Sequence, residues 1–338
     1  MAFISLEAGM SMDIHKVVGQ SVRVAILAIL GFALSMIAVG SLLHFALGIR
    51  WAYALLMASA WSGMNIAIVN AVFRYIKPQE ETRVTFTIVS LVDDPLVLIS
   101  TLTILNYILL GNMGVGDVLI GLSSNIGMSV FLGFILGLGW LNVLYFLRKG
   151  EYTYTFTLAA FLFVYALSEI LGGTGVISVF LFGLIIGNYK LIVKRFKLKM
   201  SVNEFSQLKD MIEKFHSEIT FMLRSFFFTF LGLIYVFTGV FALLLALACS
   251  LLLHITKYAV AKIGTFKSPM SSDLPVIGFI VGQGAASASM STLPLVHNLP
   301  GAAALTSLAL NIILLNNITS ILLPFVAAKF MMKKARNF

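Results

Sequence analysis

Cysteine and charge are both scarce in this 338-residue sequence, and each scarcity excludes a class of protein. Cys249 is the only cysteine, so an intrachain disulfide is impossible, and the thiol is expected to be a small packing residue. Charged residues make up 11% of the chain, against about a quarter in soluble domains. Hydrophobic residues make up 59%. These values exclude both an ordinary soluble domain and a disulfide-stabilised secreted domain.

Long apolar runs account for the hydrophobic composition. They are about 20 residues long, the length that crosses about 30 Å of hydrocarbon, and they recur from Val22 to Phe330. The fold class that they predict is an all-α polytopic membrane protein with about ten transmembrane helices. The predicted spans lie at 21–48, 51–73, 84–110, 117–147, 153–170, 173–193, 219–237, 239–263, 274–298 and 303–328.

The predicted spans fall into three consecutive parts of the chain. Residues 1–148 hold the first-half spans, among them the span at 84–110, which carries two adjacent aspartates. Residues 149–218 hold linking spans and an amphipathic connector that is expected to lie on the cytoplasmic face. Residues 219–338 hold the second-half spans.

The formal net charge of +9 raises the question of nucleic acid binding, and the location of the basic residues answers it. Most Lys and Arg residues lie in alternate loops, whereas the opposite loops, which include "GNMGVGD" and "LGGTG", hold only Arg50. By the positive-inside rule both termini are predicted to be cytoplasmic, in a multi-pass protein of the plasma membrane. The expected partner is therefore the lipid bilayer, and not nucleic acid.

Two predicted spans are interrupted near mid-depth by small and polar residues. Span 51–73 contains "SGMN", which ends at Asn65, and span 274–298 contains "GQGAAS", which includes Gln283. In a single span such residues could equally serve close helix packing. The two spans run in opposite directions in the predicted topology, and a pair of this kind points to a secondary transporter.

A polar doublet follows each interrupted span. Asp93-Asp94 follows the first, and Asn316-Asn317 follows the second. The chain is therefore expected to consist of two inverted halves. Matching the spans of the two halves leaves the spans at 173–193 and 219–237 without counterparts, so the symmetry predicts two further N-terminal helices that this sequence lacks.

Asp93 and Asp94 are the main candidates for ion chemistry. An ionised Asp at the centre of a spanning helix costs a few kcal/mol, so two need a proton, a cationic partner or a hydrated site that holds a metal cation. A proton and a hard monovalent cation compete for the same oxygens, so this pair can exchange one for the other. Pro95 leaves an upstream carbonyl unpaired and adds an oxygen. The alternative is that the doublet lies in a loop at a helix end.

Lys257 lies inside a predicted span and is the candidate cationic partner of Asp93, which would leave Asp94 to the transported ion. The alternative for Lys257 is that its side chain extends to the cytoplasmic surface. For Arg224, such an extension or a structural ion pair is the favoured interpretation. The five histidines lack metal-ligand spacing, and no nucleophile–base set accompanies the carboxylates, so an enzyme is not expected.

Four stretches, "SLVDDPL", "RSFFFTFLGL", "SEILGGTGVISVFLFGLIIGN" and "GQGAAS", resemble those of the cation:proton antiporter superfamily. The resemblance implies two discontinuous helices that cross near the midplane, with a Na⁺ or K⁺ ion bound at Asp94. It further implies no cofactor beyond the transported ions, and it is consistent with a homodimer. Asp93, Asp94 and Lys257 match the electrogenic members, which implies more than one proton per cation.

Three positions depart from the family pattern. Met64 lies where many members have an aspartate between Thr and Pro, and Val89 and Gln283 replace a glutamate and an arginine. The joint loss of two opposite charges avoids an orphaned buried charge.

The predicted function is secondary antiport of a monovalent cation, Na⁺ first and K⁺ second, for H⁺ by alternating access. The polar residues expected to support the aspartates are Asn65, Ser90, Gln283, Asn316 and Asn317. The alternatives are a channel-like or transport-deficient relative, a regulatory subunit, and a symporter for a small organic anion held at helix N-termini.

Overall fold

Helices are the only regular secondary structure in the part of the chain that the computed structural model describes, which is residues 2–12, 23–24, 26–109, 115–147, 152–196, 202–233, 235, 237 and 239–336. The all-α prediction is confirmed. The α-helices are α1 (Ala2–Ser11), α2 (Gly31–Leu47), α3 (Trp51–Trp61), α4 (Ile66–Tyr75), α5 (Glu80–Leu109), α6 (Val115–Leu147), α7 (Thr153–Ile170), α8 (Gly175–Gly187), α9 (Tyr189–Phe196), α10 (Val202–Leu233), α11 (Val240–Gly264), α12 (Leu274–Ile277), α13 (Ala285–Met290), α14 (Leu293–Val296) and α15 (Ala302–Arg336).

Seven helical segments of the described chain are long and apolar enough to cross a membrane. They are 26–47, 51–75, 80–109, 123–147, 153–170, 240–264 and 302–329. Two shorter apolar helical segments, 175–187 and 285–296, lie inside two further predicted spans. The exact count of ten spans stays a prediction.

No break separates the predicted connector, residues 194–218, from the predicted span at 219–237 within the helix that the structure shows there. Both fall largely within α10, which runs unbroken from Val202 to Leu233. The sequence between Val202 and Leu231 contains neither proline nor glycine, so no residue of this stretch ends the helix. The division of the chain at 148 and 218 stays a prediction.

The chain forms two compact units. Unit 1 consists of residues 1–16 and 109–232, and unit 2 consists of residues 17–108 and 233–338.

In unit 1 the apolar helix α8 packs against α1 and α6, and glycines permit close approach. A Cβ on Gly183 would lie 2.5 Å from the Leu6 carbonyl oxygen, and one on Gly9 would overlap the Phe180 carbonyl. Small residues at such positions let helix backbones approach one another without bulky side chains between them. Leu6, Phe161 and Ile186 fill the surrounding core.

Unit 2 contains both interrupted segments that the sequence predicts. The first consists of α3 and α4, which are separated by the non-helical residues 62–65. The second consists of α12, the stretch 278–284 and α13. The long helices α2, α5, α11 and α15 belong to the same unit. These elements carry every residue of the candidate site.

Candidate functional site

The two interruptions touch through their backbones. The Asn65 N–H donates to the Gly282 carbonyl at 2.9 Å. Glycines on the second interruption permit this close approach, because a Cβ on Gly284 would overlap the Asn65 side chain and one on Gly282 would lie 2.9 Å from Ile68. The predicted crossing of two broken segments is therefore present within unit 2.

The helix ends at the crossing find partners in side chains. A helix terminus leaves backbone groups unpaired, and in a buried place each needs a partner. The carbonyl of Trp61, the last residue of α3, accepts from Gln283 Nε2 at 2.8 Å. Asn65 caps α4, since its Oδ1 accepts from the Ala67 N–H at 2.9 Å.

Helix α15 holds the second interruption through three side chains. The Asn317 Oδ1 accepts from the Gln283 N–H at 2.8 Å, and Ser320 Oγ accepts from the Val281 N–H at 2.9 Å. Asn316 Nδ2 donates to Gln283 Oε1 at 3.0 Å. The asparagine doublet thus lies at the second interruption.

Asp93 lies at the first interruption, as the asparagine doublet lies at the second. Its side chain is fully buried, and Oδ2 accepts from the Met64 N–H at 2.9 Å and from Lys257 Nζ at 3.0 Å. The Lys257 side chain is 9% exposed and ends on this carboxylate instead of extending to the end of α11. Within the described residues Asp93 Oδ1 has no hydrogen-bond partner. Oδ2 of Asp93 therefore accepts hydrogen bonds from α11 and from the first interruption, whereas Oδ1 has no donor among the described residues.

Asp94 follows on the same helix and is partly buried. Both aspartates lie near the middle of the 30-residue helix α5, which continues through Pro95, so the doublet is not in a loop. Ser90, one turn earlier, is fully buried, and its hydroxyl donates to the Thr87 carbonyl at 2.8 Å.

A small pocket of about 20 Å³ is lined in part by Lys257. Its wall is otherwise apolar and includes Met64, Phe86 and Val89. A volume of this size corresponds to about one water molecule. Val89 and Met64, two of the positions that depart from the family pattern, therefore line the same pocket as Lys257.

Two polar residues of α11 were not identified from the sequence. Ser250 Oγ donates to Asn316 Oδ1 at 2.5 Å, and His254 Nδ1 lies 2.8 Å from the Ser250 carbonyl oxygen. Ser250 and His254 precede Lys257 by seven and three residues, a spacing that places all three on one helix face. That spacing is the signal that could have found them. Arg224 lies in α10, and its side chain is outside the described residues.

A family model described as "Sodium/hydrogen exchanger, transmembrane" matches residues 1–333. The chain belongs to this family. The resemblance that the sequence motifs suggested is therefore confirmed, and the chain is a multi-pass membrane protein of a transporter family.

Curated relatives differ in the cation that their names give. A K(+)/H(+) antiporter NhaP2 from Shewanella sp. (strain MR-4) is 27% identical over 332 residues, covering 94% of this chain and 54% of the relative. A Na(+)/H(+) antiporter ApNhaP from Aphanothece halophytica is 28% identical over 213 residues, covering 62% of this chain and 39% of the relative. The chain spans about half the length of the first of these and less of the second.

A solved structure shares the fold. The sodium proton antiporter MjNhaP1 from Methanocaldococcus jannaschii, at pH 8, aligns with a TM-score of 0.72 over 98% of this chain and 82% of that one. The two are 20% identical, so the likeness concerns the fold alone.

Proposed function

We propose that the protein exchanges a monovalent cation for protons across the membrane by alternating access. The observation that carries this proposal is the buried Asp93 carboxylate, held by Lys257 and by the backbone of a broken helix, with Asp94 beside it. Membership of the exchanger family supports the same conclusion.

In this proposal Asp94 binds the cation or the proton in turn. Lys257 compensates the charge of Asp93, with its Nζ 3.0 Å from Asp93 Oδ2. Ser90, Asn65 and Gln283 belong to the polar surroundings of the doublet. The ends of the broken helices add backbone dipoles that need no reorganisation when the occupant changes.

We further propose that Na⁺ is the preferred cation and K⁺ the second choice. Names of relatives support both, since NhaP2 is named for K⁺ and ApNhaP for Na⁺. The Asp93, Asp94 and Lys257 set supports electrogenic exchange of more than one proton per cation. The distribution of basic residues supports a plasma membrane location with both termini in the cytoplasm. A homodimer and the absence of a resident cofactor also belong to this proposal.

The experiment is proton flux in proteoliposomes, with Na⁺, K⁺ and Li⁺ compared under an applied membrane voltage. Wild type should move protons only when a cation gradient is present, and the rate should depend on the voltage. Asp94→Asn should abolish the flux, because the amide cannot exchange a proton for a cation. Asp210→Asn, an exposed position on α10, is the matched control and should transport like wild type. Wild-type flux in Asp94→Asn would refute the site.

A transport-deficient or channel-like relative is the second candidate. The apolar wall that Met64 and Val89 form beside Lys257 favours it, because a hydrated ion path needs polar walls. Proton flux that needs no cation would identify a channel. The absence of any flux in folded, reconstituted wild type would identify a transport-deficient relative.

A further inference from the structure

Four residues form a continuous chain of hydrogen bonds at the crossing, and none of the groups in it is charged. Ser250 donates to Asn316 Oδ1 at 2.5 Å, and Asn316 Nδ2 donates to Gln283 Oε1 at 3.0 Å. Gln283 Nε2 then donates to the Trp61 carbonyl at 2.8 Å. We call this set, Ser250, Asn316, Gln283 and Trp61, the amide chain. It begins on α11 and ends at the last residue of α3.

In the amide chain each side chain donates to the next residue, in the order Ser250, Asn316, Gln283 and Trp61. A hydroxyl group can donate or accept, but Trp61 contributes a carbonyl, which only accepts. Gln283 must therefore present its NH₂ group to Trp61 and its oxygen to Asn316, and this orients Asn316 in turn. All three residues are at least 95% buried, since the exposed fraction is 2% for Gln283, 0% for Asn316 and 5% for Ser250. Water cannot readily replace a lost partner there.

The amide chain and the ion pair connect the same two parts of unit 2. Lys257 on α11 reaches Asp93, whose carboxylate also holds the Met64 N–H of the first interruption. The amide chain runs from Ser250 on α11 to Trp61, three residues before Met64. The first interruption is thus tied to α11 twice, once through charge and once through neutral amides.

Gln283 is the central residue of this second connection. Besides its two side-chain bonds, its own N–H donates to Asn317 at 2.8 Å. One residue therefore joins the end of α3, the second interruption and α15. An amide is suited to this place, because it offers a donor and an acceptor without adding a charge at the crossing.

We propose that Gln283 is a positioning residue, which through the amide chain holds both interruptions and α11 in the arrangement that transport requires. The inference rests on the proposed exchange function. It assigns to Gln283 control of the maximal exchange rate, and not of cation binding.

The test compares Gln283→Leu with Gln283→Glu in proteoliposomes, over a range of pH. Leucine removes both side-chain bonds at similar volume, and we expect the maximal exchange rate to fall by about tenfold or more with a half-saturating cation concentration within about twofold of wild type. Glutamate keeps the acceptor for Asn316 and regains a donor for the Trp61 carbonyl only when it is protonated. Gln283→Glu should therefore recover activity toward acidic pH, and Gln283→Leu should not.

Controls separate positioning from misfolding. Thr101→Val removes another buried side-chain hydrogen bond of unit 2, the one with Ser59 at 2.9 Å, and should leave the exchange rate near that of wild type. Asn316→Leu should resemble Gln283→Leu, and the double variant should be little worse than either single variant, because residues of one network do not act additively.

Two results would overturn the inference. One is a maximal rate in Gln283→Leu within twofold of wild type, and the other is identical pH profiles for the Glu and Leu variants. Failure of the proposed function is a separate outcome, in which wild type itself exchanges no cation. In that case thermal unfolding of the single and double variants of Gln283 and Asn316 still tests whether the two residues belong to one network. Additive losses of stability would reject the amide chain.

Discussion

Replacing Lys257 by methionine removes the positive charge from a buried carboxylate and keeps most of the side-chain volume. In the structure Asp93 is fully buried, and its Oδ2 has two donors, the ammonium at 3.0 Å and the Met64 N–H at 2.9 Å. Removing one partner of a buried ion pair costs about 3–5 kcal/mol of stability. We therefore expect Lys257→Met to unfold at a clearly lower temperature than wild type near neutral pH.

The loss of stability in Lys257→Met should depend on pH in a defined direction. A lone buried carboxylate avoids its charge by taking up a proton, and in the variant the folded state should bind that proton more tightly than the unfolded state. Stability then rises relative to wild type as the pH falls. The same proton uptake should move the pH profile of exchange toward higher pH, and this shift should exceed any change in maximal rate.

A double variant separates charge from packing. Asp93→Asn keeps an acceptor for the Met64 N–H, and with Lys257→Met it removes both charges. Replacing a buried ion pair by neutral groups is often close to neutral in stability, so the double variant should be more stable than Lys257→Met alone. Thermal unfolding in detergent, followed by tryptophan fluorescence, measures both effects. Lys262→Met, an exposed position on the same helix, is the control.

The reasoning would be refuted by a Lys257→Met variant that unfolds like wild type at every pH. A double variant less stable than the single one would contradict it equally. An unchanged pH profile of exchange would reject the coupling role of Lys257.

Two further predictions concern close backbone contacts. Gly284→Ala places a Cβ against Asn65 at the crossing, and we expect it to lower stability by about 1–3 kcal/mol, measured by thermal unfolding, and to lower the exchange rate as well. Gly183→Ala places a Cβ 2.5 Å from the Leu6 carbonyl in unit 1 and should cost a similar amount of stability. Gly139→Ala is the control for both, because nothing lies within 4 Å of the Cβ that this substitution adds. Equal stability losses in all three variants would contradict the packing argument.

The elements of the fold that a sequence can predict are those with a local signal. The apolar runs predicted the helical class, and the polar clusters around Asn65 and Gln283 predicted both interruptions. The apolar residues on either side of Asp93 and Asp94 predicted a mid-helix doublet. In each case the signal lies within about 20 residues and does not depend on contacts between distant parts of the chain.

The rest depends on contacts between distant parts of the chain. The Gln283 side chain reaches the Trp61 carbonyl across 222 positions, and a backbone acceptor leaves no trace in residue type. The hydrogen bond from the Met64 N–H to Asp93 likewise uses a backbone group, so residue types do not predict it. The roles of Asn316 and Asn317 emerge only when α15 is placed beside the second interruption. Ser250 is different, since its spacing from Lys257 was visible in the sequence.

The claim that a proton and an alkali cation occupy the Asp94 carboxylate in turn is tested most directly by the pH dependence of the half-saturating Na⁺ concentration in wild-type proteoliposomes. If one proton competes with the cation, this concentration should rise by about tenfold for each unit by which the pH is lowered on the acidic side of the profile. A half-saturating concentration that does not change with pH would contradict the account.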